Sequence, residues 1–207
     1  MKRYLTEEEL KRNICYVMRV LYEKGLVSSL SGNVSARLPG TEEFWITPSG
    51  KFKGLIEPSD LIKVDINGNV IVGEHKPSIE TPFHAAIYRV RPDVNAIVHA
   101  HNPYTVSLVT AGIELKPITV EGALVLKETT IISYAPPGST KLAKLISNEA
   151  SKGYNILILK HHGVVAISSD IFKAEALIEM IEELAKIQFI CHVLKKEPPL
   201  IPPIDIL

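Results

Sequence analysis

The chain has 207 residues, and its 23 Lys and Arg balance 23 Asp and Glu. This balance argues against a nucleic-acid or anionic-membrane partner and leaves small polar molecules as the expected ligands. The sequence shows no apolar run near the ~18 residues of a membrane span, and its acidic start is unlike a signal peptide. Cys15 and Cys191 lack a CxxC spacing. They predict reduced thiols and a cytoplasmic location.

The N-terminal segment predicts a helix. Thr6 and Glu9 have the spacing of a capping box, apolar residues follow at helical intervals, and Gly25 is placed to end the helix.

Two polar turns follow, at residues 28–33 and 47–50. Each contains glycine and serine and lies beside a strand-like segment, at 34–38 and 44–46 respectively. Turns of this kind can be plain connections or anion sites. Having two of them favours convergence on one anion.

Residues 61–72 predict a β-hairpin. Asn67 and Gly68 lie between two alternating segments, which favours a type I′ turn.

A helix is predicted to begin near residue 80 and to end before Pro92, with Ser78 or Thr81 as the N-cap. Glu80 lies four residues before His84. This pair has the spacing of two metal ligands, although a surface contact between the two side chains is the preferred interpretation.

Residues 95–101 predict a strand that ends in two histidines. Alternate side chains of a strand lie on the same face, so His99 and His101 should point the same way. Such a pair can bind one metal ion, with a third ligand from elsewhere. The alternative is a coincidental pair satisfied by hydrogen bonds.

The third ligand is expected from His161 or His162. Both follow an all-apolar strand and precede Gly163, which permits close backbone approach. If the backbone is extended there, one of the two histidines faces the cleft.

The remaining elements complete one domain, residues 1–195, followed by an extended Pro-rich tail, 196–207, that should dock on a protein surface. Helices and strands alternate irregularly, so the fold class is α/β with a mixed, largely antiparallel sheet flanked by helices. The expected strands are 117–126, 130–134, 156–159 and 164–167, and the expected helices are 104–110, 140–152 and 169–194.

Five ordered motifs resemble those of the class II aldolase/adducin family. They are Gly32-Asn33-Val34-Ser35, Ile46-Thr47-Pro48-Ser49-Gly50, Pro77-Ser78-Ile79-Glu80, Val98-His99-Ala100-His101 and His161-His162-Gly163. The resemblance implies α/β/α layers and a homotetramer with active sites between subunits. It also implies zinc-dependent cleavage of a ketose 1-phosphate to dihydroxyacetone phosphate and an aldehyde.

The resemblance also assigns roles to residues. Glu80 would be the catalytic acid/base, because the metal makes the substrate carbon acidic enough for a carboxylate to deprotonate. The implied zinc ligands are His99, His101 and His162. The implied phosphate-binding residues are Gly32, Asn33, Ser49, Gly50 and Ser78.

Two positions depart from the sugar-phosphate aldolase pattern. Ile79 stands where a second serine is common, which removes one hydroxyl donor from the phosphate site. Glu121 stands where a tyrosine donates a proton, so Glu121 and Tyr134 are both candidates for this role.

Other kinds of protein share parts of this pattern. Dehydratases of the family keep both the histidines and the glutamate, whereas its epimerases usually have Asp in place of Glu80. Adducin-like assembly modules tend to lose the metal ligands. A cupin would need a glutamate soon after His101 and fewer helices.

Overall fold

Six α-helices and eight β-strands form the described part, residues 5–202, of the computed structural model. The helices are α1 Glu7–Glu23, α2 Thr81–Val90, α3 Pro103–Thr110, α4 Val120–Lys127, α5 Thr140–Ser151 and α6 Ile171–Val193. The strands are β1 Asn33–Ala36, β2 Glu43–Ile46, β3 Ile62–Asp65, β4 Val70–Val72, β5 Ala96–Ala100, β6 Thr129–Ile132, β7 Ile156–Leu159 and β8 Gly163–Ser168.

All eight strands belong to one sheet, in the order β4-β3-β2-β1-β5-β8-β7-β6. Neighbouring strands are antiparallel except β6 and β7, which are parallel. The prediction of a mixed, largely antiparallel sheet is therefore confirmed. The histidine strand β5 lies between β1 and β8 near the middle of this sheet.

Each face of the sheet has its own hydrophobic core. Val98 of β5 belongs to the core that contains α1 and α6 residues, whereas Ile97 belongs to the core of α2 and α5. Side chains alternate along the strand, so His99 shares the face of Ile97. The predicted α/β/α layers are confirmed, and the layering directs His99 towards α2.

The start and end of α1 agree with the sequence prediction. Thr6 and Glu9 form the reciprocal hydrogen bonds of a capping box, and Gly25 has a φ of +69°. The first helix is therefore specified by local chemistry at both ends.

The predicted hairpin forms, but the prediction of a type I′ turn was wrong. Gly68 has a φ of +89°, whereas Asn67 is not in the left-handed region that a type I′ turn requires at both central residues. The Asp65 carboxylate instead accepts hydrogen bonds from the backbone N–H groups of Asn67 and Asn69. This side chain stabilises a longer connection than the sequence suggested.

The prediction of a strand at 117–126 was also wrong, because most of this segment forms α4. The Thr119 hydroxyl accepts a hydrogen bond from the Gly122 backbone and caps the helix. A short apolar run fits a buried helix as well as a strand, and packing against α6 decides between them here. Glu121 consequently lies in the first turn of a helix and is exposed.

The described part of the C-terminal tail contacts the chain itself. The backbone N–H of Ile201 donates to the Pro117 carbonyl at 2.8 Å. Residues 203–207 of the tail lie outside the described residues, and the division of the chain at residue 195 stays a prediction. Among residues 5–202, no helix is both long and apolar enough to cross a membrane.

Helix α3, which follows His101 directly, is capped by a residue of α6. The Glu182 carboxylate accepts hydrogen bonds from the backbone N–H groups of Tyr104 and Thr105 and from the Thr105 hydroxyl, at 2.8, 3.0 and 2.8 Å. The side chain of Asn102, the N-cap residue, instead donates to the Ile178 carbonyl. Glu182 therefore connects the end of the histidine strand to α6.

We expect Glu182→Ala to lower the free energy of unfolding by about 2–4 kcal/mol, because it leaves buried N–H donors without an acceptor. Chemical denaturation at fixed protein concentration measures this change. The control is Glu183→Ala, since Glu183 is the exposed neighbour; its change should stay within ~0.5 kcal/mol. Equal losses in the two variants would contradict the capping role.

Candidate metal and active site

The position of His99 is fixed by the sheet. It lies in β5, opposite Asn33 of β1 on one side and Val165 of β8 on the other, and it is fully buried. The Val164 carbonyl is 3.0 Å from His99 Nδ1. A carbonyl only accepts, so Nδ1 carries the hydrogen, and in the neutral ring Nε2 keeps its lone pair for a ligand.

His162 reaches the same place from the turn between β7 and β8. The backbone there is not extended, contrary to expectation: His162 N–H donates to the Leu159 carbonyl, and His161 has a φ of +65°. The turn leaves His161 exposed and His162 partly buried. As expected, only one of the two histidines faces the cleft, but the reason is a turn and not the extended backbone that was predicted.

The three histidines form one cluster. Each offers a ring nitrogen, and the three nitrogen atoms lie within 4.8 Å of one another. Nε2 of His101 is 3.2 Å from Nε2 of His99. The structure therefore brings His99, His101 and His162 together, as a shared metal site requires.

Glu80 completes the cluster from the start of α2. It is the N-cap residue, so the earlier choice of Ser78 or Thr81 was wrong. Its Oε2 is 3.1 Å from His99 Nε2 and accepts a hydrogen bond from Asn33 Nδ2 at 2.8 Å. Its Oε1 is 3.3 Å from His162 Nε2 but makes no hydrogen bond with any residue between 5 and 202. Within that part of the chain, one buried carboxylate oxygen thus lacks a hydrogen-bond partner and faces the histidines.

The charges of this cluster are strongly coupled. Burial raises the pKa of Glu80, but the positive charge of His99, the hydrogen bonds from His99 and Asn33 and the nearby His162 ring outweigh it and hold that pKa below its usual range. Burial lowers the pKa of His99, yet Glu80 and the Val164 carbonyl raise it overall. The carboxylate is therefore ionised at neutral pH.

The other two histidines are held neutral. Burial, with the charges of His99 and His162, lowers the pKa of His101 to about 3. Burial and His99 lower the pKa of His162 to about 4. Neutral imidazole is the form that binds a metal ion.

A buried hydrogen-bond chain extends from Glu80 into the core. Asn33 Oδ1 is 2.5 Å from His84 Nε2, His84 Nδ1 is 2.7 Å from Ser35 Oγ, and Ser35 Oγ is 2.9 Å from the Tyr88 hydroxyl. His84 is fully buried, and burial lowers its pKa to about 3. The expected surface contact between Glu80 and His84 was wrong, because both residues are internal and Asn33 lies between them.

The residues fit a divalent transition-metal ion. Three imidazole nitrogens and a carboxylate form a donor set suited to such ions. Glu80 Oε1 and His162 Nδ1 are buried without a hydrogen-bond partner in the described part of the chain. A positive ion would attract the unpaired Glu80 Oε1 atom. It would also offset the repulsion between the lone pairs of the three closely spaced ring nitrogens.

A cavity of about 330 Å³ lies beside the cluster. Seven of the predicted site residues line this cavity: Gly32, Asn33, Ser49, Ser78, Glu80, His101 and His162. Gly50 is not among the lining residues, and His99 lies behind them. Ile79 borders the cavity and is 64% exposed. Neither Glu121 nor Tyr134 lines it, and Tyr134 is 57% exposed.

Sequence reasoning missed Lys53, which also lines this cavity. It lies in a short 3₁₀ turn, Lys53–Leu55, between Phe52 and Gly54. Its apolar neighbours are a weak signal of burial, and nothing in the local pattern indicates which turns it contacts.

A model of the family described as Class II Aldolase and Adducin N-terminal domain matches residues 12–189. The chain belongs to the class II aldolase/adducin family. The resemblance of the five motifs is therefore confirmed, and the chain is a lyase of the class II aldolase type.

Similar proteins include aldolases and 3-oxo-tetronate 4-phosphate decarboxylases. The chain is 35% identical over 186 residues to the L-fuculose phosphate aldolase of Methanocaldococcus jannaschii, covering 90% of this chain and 99% of that protein. It is 33% identical to the 3-oxo-tetronate 4-phosphate decarboxylase of Haemophilus influenzae, covering 89% of each. A solved L-fuculose 1-phosphate aldolase matches with a TM-score of 0.82 and 29% identity, over 96% of this chain and 92% of that one.

The two adjacent histidines of the β7–β8 turn provide a matched test of the metal site. We expect His162→Ala to lose most of its bound divalent cation and His161→Ala to keep it, because His162 alone of the pair lies in the cluster. Elemental analysis of the purified proteins measures this difference. Equal metal contents in the two variants would show that the wrong histidine was assigned.

Proposed function

We propose that this class II aldolase is zinc-dependent and reversibly cleaves a ketose 1-phosphate similar to fuculose 1-phosphate, giving dihydroxyacetone phosphate and an aldehyde. The observation that supports this most is the convergence of three imidazole nitrogens and the buried Glu80 carboxylate beside a polar cavity. The aldolase relatives, whose whole length the chain nearly spans, support the reaction type.

In this proposal His99, His101 and His162 hold Zn²⁺. Bound there, Zn²⁺ would act as a Lewis acid that polarises substrate oxygens and makes the adjacent carbon more acidic. The neutral rings of His101 and His162 suit this role, as does the Nδ1 hydrogen bond that orients His99.

Glu80 is the proposed catalytic base. An ionised carboxylate with one oxygen that accepts no hydrogen bond from the described residues can take a proton from the substrate carbon. Burial alone would raise the pKa of Glu80 towards neutrality, but its contacts with the imidazoles and Asn33 lower it. The carboxylate is thus a weak base, and much of the driving force must come from acidification of the substrate.

The substrate phosphate is proposed to bind at the two polar turns and Ser78, through Gly32, Asn33, Ser49, Gly50 and Ser78. The Asn33 side chain already bonds Glu80 and His84. It would have to give up one of these bonds to reach a phosphate, so the other donors make the principal contacts in this proposal. Glu121 and Tyr134 remain the candidates for protonating the leaving oxygen.

Exchange of a carbon-bound hydrogen of dihydroxyacetone phosphate with solvent tests the role of Glu80. The native zinc-loaded protein should exchange one hydrogen of dihydroxyacetone phosphate with deuterated water, as followed by NMR. Glu80→Gln keeps the shape of the side chain but not its basicity, so exchange should fall by roughly 10²–10⁴-fold with zinc still bound.

The matched control is Glu121→Gln, which changes an exposed acid outside the cavity; exchange involves no leaving oxygen, so it should be unchanged even if Glu121 protonates that oxygen in the full reaction. Undiminished exchange in zinc-loaded Glu80→Gln, with loss in Glu121→Gln, would transfer the role of base to Glu121. Identifying the products formed with a panel of aldehydes would separate the aldolase from the alternatives, a sugar-phosphate dehydratase or epimerase or a non-catalytic adducin-like assembly module.

We further propose a homotetramer with active sites near subunit boundaries. Two exposed apolar groups support association: Val70, Ile71 and Val72 on the edge strand β4, and Phe189, Ile190, Val193 and Leu194 near the end of α6. Light scattering should give a mass near four chains; a stable monomer at micromolar concentration would refute this. A cytoplasmic location stays a prediction.

A further inference from the structure

Lys53 is a buried lysine at the wall of the cavity. Its side chain is almost fully enclosed, with the residue 2% exposed. Its Nζ donates one hydrogen bond, to the Pro48 carbonyl at 2.7 Å. An ammonium group has three donors, so two of them find no protein acceptor within the described residues.

The same residue connects the two polar turns of the proposed phosphate site. Its backbone N–H donates to the Ser29 carbonyl in the first turn, at 2.8 Å. Its Nζ bonds Pro48 in the second turn, next to Ser49. Lys53 therefore contacts both turns, its ammonium group contacts the second, and the residue lines the cavity that both turns border.

No carboxylate in the described part of the chain pairs with this ammonium group. A buried charge without a partner is costly, and proteins usually retain one only when an opposite charge compensates it. The residues so far proposed for the phosphate are all neutral, namely Gly32, Asn33, Ser49, Gly50 and Ser78. Within the described residues, the Lys53 ammonium group thus has no anionic partner. The proposed substrate phosphate, in turn, has no positively charged partner among those five residues.

We propose that Lys53 is a binding residue for the phosphate group of the substrate and supplies the positive charge that the neutral donors lack. This inference rests on the proposed sugar-phosphate substrate. The simpler alternative is that Lys53 only ties the two turns together through Ser29 and Pro48.

The titration of Lys53 gives the two interpretations different consequences. Burial lowers the pKa of Lys53 to about 8. A bound dianion would favour the charged form and raise that pKa again. Near pH 8, where inorganic phosphate is mostly dianionic, binding should therefore draw a fraction of a proton from solution onto Lys53.

The experiment measures binding of inorganic phosphate to the zinc-loaded protein by calorimetry at pH 8, in two buffers of different ionisation enthalpy. Lys53→Met should bind phosphate roughly ten- to hundredfold more weakly, as expected for loss of one charged hydrogen bond. It should also abolish the proton uptake. The control is Lys51→Met, because Lys51 is partly exposed and pairs with Asp60. It should change neither quantity.

Phosphate binding by Lys53→Met with the native affinity would overturn the inference. Lys53 would then have only a structural role in connecting the two turns, or the phosphate would bind at the metal. The native protein also provides a test that needs no variant: phosphate binding without proton uptake, or no phosphate binding at millimolar concentration, would overturn it too. Hydrogen exchange by Glu80 can still be intact in these cases, so failure here is distinguishable from failure of the proposed aldol chemistry.

Discussion

The burial of the Glu80 carboxylate is the constraint on which this site depends. Removing an ionised carboxylate from water costs several kcal/mol unless nearby groups replace the lost solvation. Here the replacements are Asn33 from β1, His99 from β5 and His162 from the β7–β8 turn, together with the N-terminus of α2. These groups are far apart in sequence. The carboxylate is stabilised only when the sheet and α2 have assembled, which links the chemistry to the complete fold.

The hydrogen-bond chain behind Glu80 has one consistent direction. Glu80 only accepts, so Asn33 Nδ2 donates to it and Asn33 Oδ1 accepts from His84 Nε2. His84 Nδ1 then accepts from Ser35, whose oxygen accepts from Tyr88. A proton added to His84 Nδ1 would break this order, in agreement with its lowered pKa. The chain therefore fixes the orientation of Glu80 through its Oε2 atom and keeps His84 neutral, because both ring nitrogens of His84 have hydrogen-bond partners.

The sequence predicted those parts of the site that follow from local periodicity. His99 and His101 share a face because β5 is a strand, and the four-residue spacing places Glu80, the N-cap of α2, on the same side of that helix as His84. Local pattern could not reveal that Asn33 lies between these two side chains, because β1 reaches α2 only through tertiary packing. The segment 117–126 was misassigned for the same reason, since contact with α6 selects its helix. Lys53 escaped notice because its burial depends on two turns that are separate in sequence.

Gly163 shows how the sheet sets the spacing of the metal ligands. A Cβ atom there would lie 2.3 Å from the Ala100 carbonyl oxygen and 2.8 Å from His99 Cε1. Only a residue without a side chain lets β8 begin this close to the end of β5. That approach puts the Val164 carbonyl within reach of His99 Nδ1 and places His162, one residue before the glycine, beside His99. The positions of His99 and His162 thus follow from the register of β5 and β8 and from the absence of a side chain at Gly163. Anchored to these strands, the two histidines are held more rigidly than on a flexible loop.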